Sequence, residues 1–94
     1  MPVGLLEIDC FIAESTSLKD KRRVLSSLFE RLRRQFNVAL CEVDFQDQWQ
    51  RSLVAVVFVN TEWRMVQSAM SKLLEYVERD HRLNVLGSES QQLD

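Results

Sequence analysis

The apolar residues in the first part of the chain change from alternating spacing to helical spacing, which predicts a strand followed by a helix. Val3 to Ile12 alternates, as a strand with one buried face does. That face carries Leu6, Ile8, Cys10 and Ile12. Ser17 followed by Asp20 resembles a capping box, so the helix is predicted to start at Leu18, and Asn37 ends it. The stripe that this helix should bury consists of Leu18, Lys21, Leu25, Leu28, Phe29, Leu32 and Phe36, in which only Lys21 is not apolar.

The rest of the chain predicts two strands, a second helix and a last strand. Val38 to Asp44 alternates, which indicates a half-buried strand. Ser52 to Val59 is apolar at almost every position and rich in β-branched residues, the pattern of a central strand. Asn60 or Thr61 is predicted to cap the second helix. Asn84 to Glu89 is predicted to form a short strand. The apolar stripe of the second helix is Val66, Ala69, Met70, Leu73 and Val77.

This order of elements predicts a single α+β domain over residues 1–94 with the ferredoxin-like βαββαβ sandwich, a four-stranded antiparallel sheet carrying two helices on one face. The first and third strands should be central, and residues 90–94 a frayed end. A chain of 94 residues can bury a sizeable core without disulfides. The third strand would separate Cys10 from Cys41, so both are expected to be buried free thiols.

Composition excludes several classes of function. Glu7 and Asp9 interrupt the apolar opening of the chain, which argues against a signal peptide or a membrane span and predicts a cytosolic protein. The spacing of the two cysteines matches no zinc or redox motif, and His81 is the one histidine. We therefore expect no metal site and no small-molecule cofactor.

Charge is distributed unevenly along the chain. Residues 17–36 hold seven basic and two acidic side chains, whereas the remainder holds five basic and twelve acidic ones, within a net charge of −2. A basic helix beside an acidic body can neutralise phosphates, which suits RNA or a ribosomal particle as partner. The predicted contact residues are Lys19, Arg22, Arg23, Arg31 and Arg34. The alternative is a solvated helix surface, because Arg and Lys favour helices and complement a helix C-terminus.

The opposite sheet face should be acidic, with Glu7, Asp9, Glu42 and Asp44 directed outward. Carboxylates there would repel an RNA backbone, so RNA would have to use the first helix. Clustered carboxylates also suit metal binding or acid–base catalysis, but the predicted topology does not place the first two strands next to each other. No catalytic residues are assigned, and an enzyme ranks third among the hypotheses.

The segment that joins the second and third strands is longer than a hairpin needs. It runs from Glu42 to Arg51 and carries two aromatic residues. It either packs over a sheet edge or meets a protein partner, including a second copy of the chain. The candidate partner-binding residues are Phe45, Gln46, Asp47, Trp49 and Arg51.

Two motifs resemble a known family. Ser17-Leu18-Lys19-Asp20-Lys21-Arg22-Arg23 is similar to the Ser-Leu-Lys-Glu-Lys-Arg-Arg opening of helix one in the YlxP-like family of small bacterial proteins. The segment Glu42 to Arg51 resembles its second motif, and Phe36-Asn37-Val38 also fits. The resemblance implies a ferredoxin-like fold. It implies a translation-related role only by association, since the family is of unknown function and its genes often lie beside ribosome-maturation genes.

The leading hypothesis is therefore a non-enzymatic accessory protein that touches RNA or a ribosomal particle through the first helix. The runner-up is a protein-interaction or homodimerisation module that uses an edge strand and the segment Phe45 to Arg51.

Overall fold

The computed structural model describes all 94 residues and has the predicted order of elements. These are β1 (Val3–Phe11), α1 (Leu18–Gln35), β2 (Val38–Asp44), β3 (Arg51–Val59), α2 (Trp63–Glu78) and β4 (Asn84–Gln92). The strands form one antiparallel sheet in the order β2-β3-β1-β4. The ferredoxin-like α+β fold is confirmed, with β1 and β3 in the centre and α1 starting at Leu18 as predicted.

One core lies between the sheet and the two helices. Alternate residues of β1 and β3 meet the apolar stripes of α1 and α2 there, and fifteen hydrophobic residues are buried. Gly4 in β1 allows α2 to approach closely, because a Cβ at this position would lie 2.6 Å from Val66 Cγ1. Neither helix is long and apolar enough to cross a membrane.

The start of α2 and the length of β4 differ from the prediction. Glu62, rather than Asn60 or Thr61, is the N-cap of α2, and its side chain makes no capping hydrogen bond. Asn60 instead closes the preceding turn, where its Oδ1 accepts from the Thr61 amide at 2.7 Å. Residues 90–92, predicted to fray, belong to β4, because backbone pairing with β1 continues to Gln92 although the side chains are polar.

The prediction that Cys41 is buried is wrong. Cys10 is buried, but Cys41 is exposed. The pleat of β2 directs Val38, Leu40 and Glu42 towards the helices, so Cys41 lies on the opposite, open face of the sheet.

Candidate nucleic-acid interface and the adjoining loop

The solvent face of α1 is a band of basic side chains. Ser17 Oγ accepts from the Asp20 amide at 3.0 Å, and the Asp20 carboxylate in turn accepts from the backbone and hydroxyl of Thr16. These bonds fix the first turn and lower the pKa of Asp20, the Thr16 amide having the largest effect. From there the exposed cations lie in two groups near the two ends of the helix, at residues 19–23 and 33–34, which together span about 22 Å. We call Lys19, Arg22, Arg23, Arg33 and Arg34 the basic band.

The five predicted RNA-contacting residues have different surroundings. Lys19, Arg22 and Arg23 are exposed, and no carboxylate lies within 4.0 Å of them. Arg34 is exposed and forms a surface pair with Glu30 at 3.1 Å, which contributes little and can open. Arg31 is only 35% exposed and is bound to Asp80 at 2.6 Å. Arg31 therefore holds α1 to the end of α2.

Arg33 belongs to the basic band although it was not among the predicted contacts. It is exposed, and its guanidinium lies 5.9 Å from the centroid of the Phe29 ring. It has no carboxylate partner within 4.0 Å. The signal that could have included it was its place among the seven basic residues of positions 17–36.

A buried ion pair that the sequence interpretation missed connects α1 to β2. Lys21 is 1% exposed, and its Nζ lies 2.9 Å from Glu42 Oε2. Ser52 Oγ donates to the same carboxylate oxygen at 2.6 Å. The prediction that Glu42 faces outward is wrong, since the pleat of β2 points its side chain at α1. The signal for this pair was the lysine within an otherwise apolar stripe.

Lys21 also holds the loop between β2 and β3. Its ammonium donates to the carbonyl oxygens of Phe45 at 2.8 Å, Gln46 at 3.3 Å and Arg51 at 3.1 Å. The three carbonyl oxygens point towards Lys21, and its ammonium supplies hydrogen-bond donors to them and to the Glu42 carboxylate. The two sequence motifs that resemble the YlxP-like family are thus in direct contact.

The predicted partner-binding residues fall into two groups. Phe45 has a positive φ of 64°, and its ring lies 4.3 Å from the Arg51 guanidinium. Arg51 also makes two hydrogen bonds to Asp9, at 2.7 and 3.1 Å, and these lower the pKa of that carboxyl. Phe45 and Arg51 therefore stabilise the loop itself. The exposed residues are Gln46, Asp47 and Trp49, with Trp49 54% exposed.

The open sheet face carries carboxylates on the side formed by β1 and β4. Glu7 lies directly opposite Glu89, beside a shallow concavity of about 370 Å³. Asp9 is paired with Arg51, and Asp44 lies on β2, two strands from Glu7. The structure does not bring the four predicted carboxylates together, and no three His, Cys, Asp or Glu side chains are placed to hold one metal ion.

The fold and its charged surfaces define a small α+β protein of the ferredoxin-like class with a basic first helix. Residues 3–90 match the model of the family described as "Protein of unknown function (DUF503)", and the chain belongs to that family. It is similar to "Uncharacterized protein YlxP" of Bacillus subtilis (strain 168), at 30% identity over 76 residues that cover 81% of this chain and 83% of the relative. The family resemblance deduced from the two motifs is confirmed.

Proposed function

We propose that this protein is a non-enzymatic cytosolic accessory protein that binds RNA, free or within a ribosomal particle, through the basic band of α1. One observation carries the proposal: five exposed cations share one face of an 18-residue helix, and Glu30 is the one acid among them. Four of the five have no carboxylate within 4.0 Å. Their charge is available to an external anion.

The form of the basic band suits a phosphate backbone. Arg and Lys side chains that contact phosphates release condensed counterions, and this release drives binding without reading the base sequence. The helix presents cations over about 22 Å, which spans several nucleotides of an extended strand. Binding of this kind is weak, sensitive to salt and tolerant of sequence.

The open sheet face also favours an orientation in which RNA meets α1. Glu7 and Glu89 lie together on the open sheet face, where they repel a polyanion. RNA-recognition sheets stack bases on exposed aromatic side chains of their central strands, and this sheet face has no such pair of aromatics. An RNA molecule therefore approaches the helix layer and not the sheet.

Binding of single-stranded RNA, measured by fluorescence anisotropy at low salt, tests the proposal. The double variant Arg22→Glu, Arg23→Glu should bind more than about tenfold more weakly than the wild type. Its matched control is Arg64→Glu, Lys72→Glu, which changes the net charge equally but on the exposed surface of α2. The control should bind nearly as well as the wild type. Absence of binding by the wild type, or equal losses in both variants, would contradict the proposal.

The alternative function is protein interaction through β2 and the segment Phe45 to Arg51. The observation in its favour is Trp49, an exposed aromatic side chain on a loop whose backbone Lys21 fixes. A protein with this function alone would not bind RNA at low salt, so the anisotropy measurement separates the two.

A further inference from the structure

One flank of α1 carries an aromatic ring between two arginines. Arg22, Phe29 and Arg33 follow the helical period, so they lie within about 40° of one another around the helix axis. Along that axis the Cα atom of Phe29 is about 10 Å from that of Arg22 and about 6 Å from that of Arg33. The ring therefore has a cation on each side along the helix.

This flank borders a shallow groove of about 330 Å³ between α1 and β2. Its walls are formed by Arg22, Leu25, Ser26, Phe29, Arg33 and Glu42. Leu25 is only 5% exposed, whereas Phe29 is half-buried. The ring of Phe29 is thus the main apolar surface that the groove offers to a ligand.

The cations of the groove are available, and its one acid is neutralised. No carboxylate lies within 4.0 Å of the Arg22 or the Arg33 guanidinium. The Glu42 side chain is 18% exposed, and its Oε2 lies 2.9 Å from the buried ammonium of Lys21. The same oxygen accepts from Ser52 Oγ at 2.6 Å. The groove therefore attracts anions at both of its arginines.

The two sides of the Phe29 ring have different neighbours. The ring packs against the core, which fixes its orientation. The Arg33 guanidinium lies 5.9 Å from the ring centroid, within the range of a cation–π contact. Arg33 is exposed, so a flat ligand can take the place of its guanidinium over the ring. Stacking of a nucleobase on an aromatic ring contributes more than an exposed cation–π contact does.

An aromatic ring between available cations is the arrangement with which proteins hold unpaired nucleic-acid strands, because the base stacks on the ring and the phosphates bind the cations. We propose that the groove between α1 and β2 is a stacking site for one unpaired base of a single-stranded RNA. Phe29 lies under the base, and Arg22 and Arg33 bind phosphates on its two sides.

This site rests on the proposed RNA binding by the basic band and adds the class of RNA that is bound. In a duplex the bases are stacked on each other and paired, so none is available to Phe29. Stacking tolerates any base, because every base has a π-face. The site therefore selects single strands over duplexes without selecting a sequence.

Two oligonucleotides separate stacking from phosphate binding. One is a short oligoadenylate, and the other has the same length but carries stable abasic spacers in place of the bases. In anisotropy titrations the wild type should bind the oligoadenylate at least about fivefold more tightly, the lower limit for one stacked base.

Phe29→Leu keeps an apolar side chain against the core but removes the ring. It should bind the oligoadenylate at least about fivefold more weakly than the wild type does. It should bind the abasic oligonucleotide as the wild type does, because the phosphate contacts remain. For the same reason the salt dependence of its binding should be unchanged.

Two further variants control for the loss of a ring. Phe36→Leu also removes a half-buried aromatic side chain near α1, but this ring packs edge-on against Tyr76, with 6.3 Å between the centroids. Phe29→Tyr retains an aromatic ring in the groove. Both variants should bind the two oligonucleotides as the wild type does. Circular dichroism verifies that all three variants fold.

The outcomes distinguish this site from the proposed function on which it rests. If the wild type binds neither oligonucleotide, RNA binding by the basic band is contradicted and the stacking site with it. If it binds both equally tightly, or if Phe29→Leu weakens binding of both by the same factor, only the stacking site is overturned. The groove would then be open to a protein segment instead.

Nuclear magnetic resonance of the wild type locates the contact without any substitution. The ring current of a stacked base should shift the aromatic proton signals of Phe29 when oligoadenylate is added, and the abasic oligonucleotide should not cause this shift. The signals of Phe36 should stay in place with both. Shifts that leave the Phe29 signals unchanged would overturn the proposal.

Discussion

At the scale of single residues, the most consequential side chain is Lys21. The loop between β2 and β3 turns three carbonyl groups inward, and an apolar residue at position 21 would leave them without donors. An unsatisfied buried carbonyl costs about 1 to 3 kcal/mol, so one lysine that serves all three and the Glu42 carboxylate is favourable despite its own burial. Lys21 therefore connects α1 to β2 and to the loop between β2 and β3.

Replacing this lysine by an apolar residue of similar length should destabilise the protein strongly. Lys21→Met leaves Glu42 and the three carbonyls without their cation, a loss of about 3 kcal/mol in the free energy of unfolding. Lys19→Met, at an exposed position, should change it by less than about 0.5 kcal/mol. Urea denaturation measures both. A loss below about 1 kcal/mol for Lys21→Met would show that the network is not stabilising.

Asp80 should make stability depend on pH at the acidic end. Its carboxylate, 5% exposed, accepts hydrogen bonds from Arg82 and Arg31, and the Arg82 side chain contributes most to lowering its pKa. A carboxyl with a lowered pKa stabilises the folded state when ionised. This contribution is complete above the unfolded pKa near 3.9 and is lost as the pH falls towards the folded value.

Asp80→Asn should therefore cost about 2 kcal/mol at neutral pH, the usual contribution of hydrogen bonds to a charged group. The difference from the wild type should shrink as the pH falls below about 4. Denaturation midpoints measured at neutral pH and at successively lower pH check this. A difference that does not change with pH would contradict the assigned role of Asp80.

The sequence predicted the buried stripes of the two helices and of β1, but not the buried face of β2 or the partners of the buried charges. The helical period correctly placed Lys21 in the buried stripe of α1, yet its partner Glu42 was expected on the other side of the sheet. Which face of β2 is buried depends on its pairing with β3, and a strand of moderately apolar residues on both faces does not reveal this. The Arg31–Asp80 pair likewise joins residues 49 positions apart, and only the packing of the two helices brings them together.

At the scale of elements, α1 presents two faces of different character. Leu25, Leu28 and Leu32 pack against the sheet, and the basic band faces solvent. The start of this helix at Leu18 was predicted correctly, because Ser17 and Asp20 give a capping signal there that the structure contains. β4 was predicted too short, since its last residues are held by backbone bonds to β1 that side-chain patterns do not report.

Leu28→Ala measures how much the buried face of α1 contributes. Leu28 is 1% exposed in the centre of the stripe, and truncation leaves a cavity beneath the helix. The expected loss is about 2 to 5 kcal/mol in the free energy of unfolding, a large part of a typical total of about 5 to 15. Ser26→Ala, on the solvent face of the same helix, is the control. A loss below about 1 kcal/mol for Leu28→Ala would mean that α1 packs in another register.

At the scale of the whole molecule, charge is separated between the two layers. The helix layer presents the basic band, and the open sheet face presents Glu7 and Glu89. A net charge of −2 conceals this separation. Attraction to a polyanion depends on the local surface and not on the net charge, so the proposed function requires that RNA meets α1 and not the sheet.

The salt dependence of RNA binding tests the central claim most directly. If the five side chains of the basic band contact phosphates of single-stranded RNA, the logarithm of the binding constant should fall with the logarithm of salt concentration with a slope of about −3.5. Arg22→Glu, Arg23→Glu should reduce the slope to about −2.1, because two contacts are lost. A slope near zero for the wild type, or the same slope in both proteins, would contradict phosphate binding by α1.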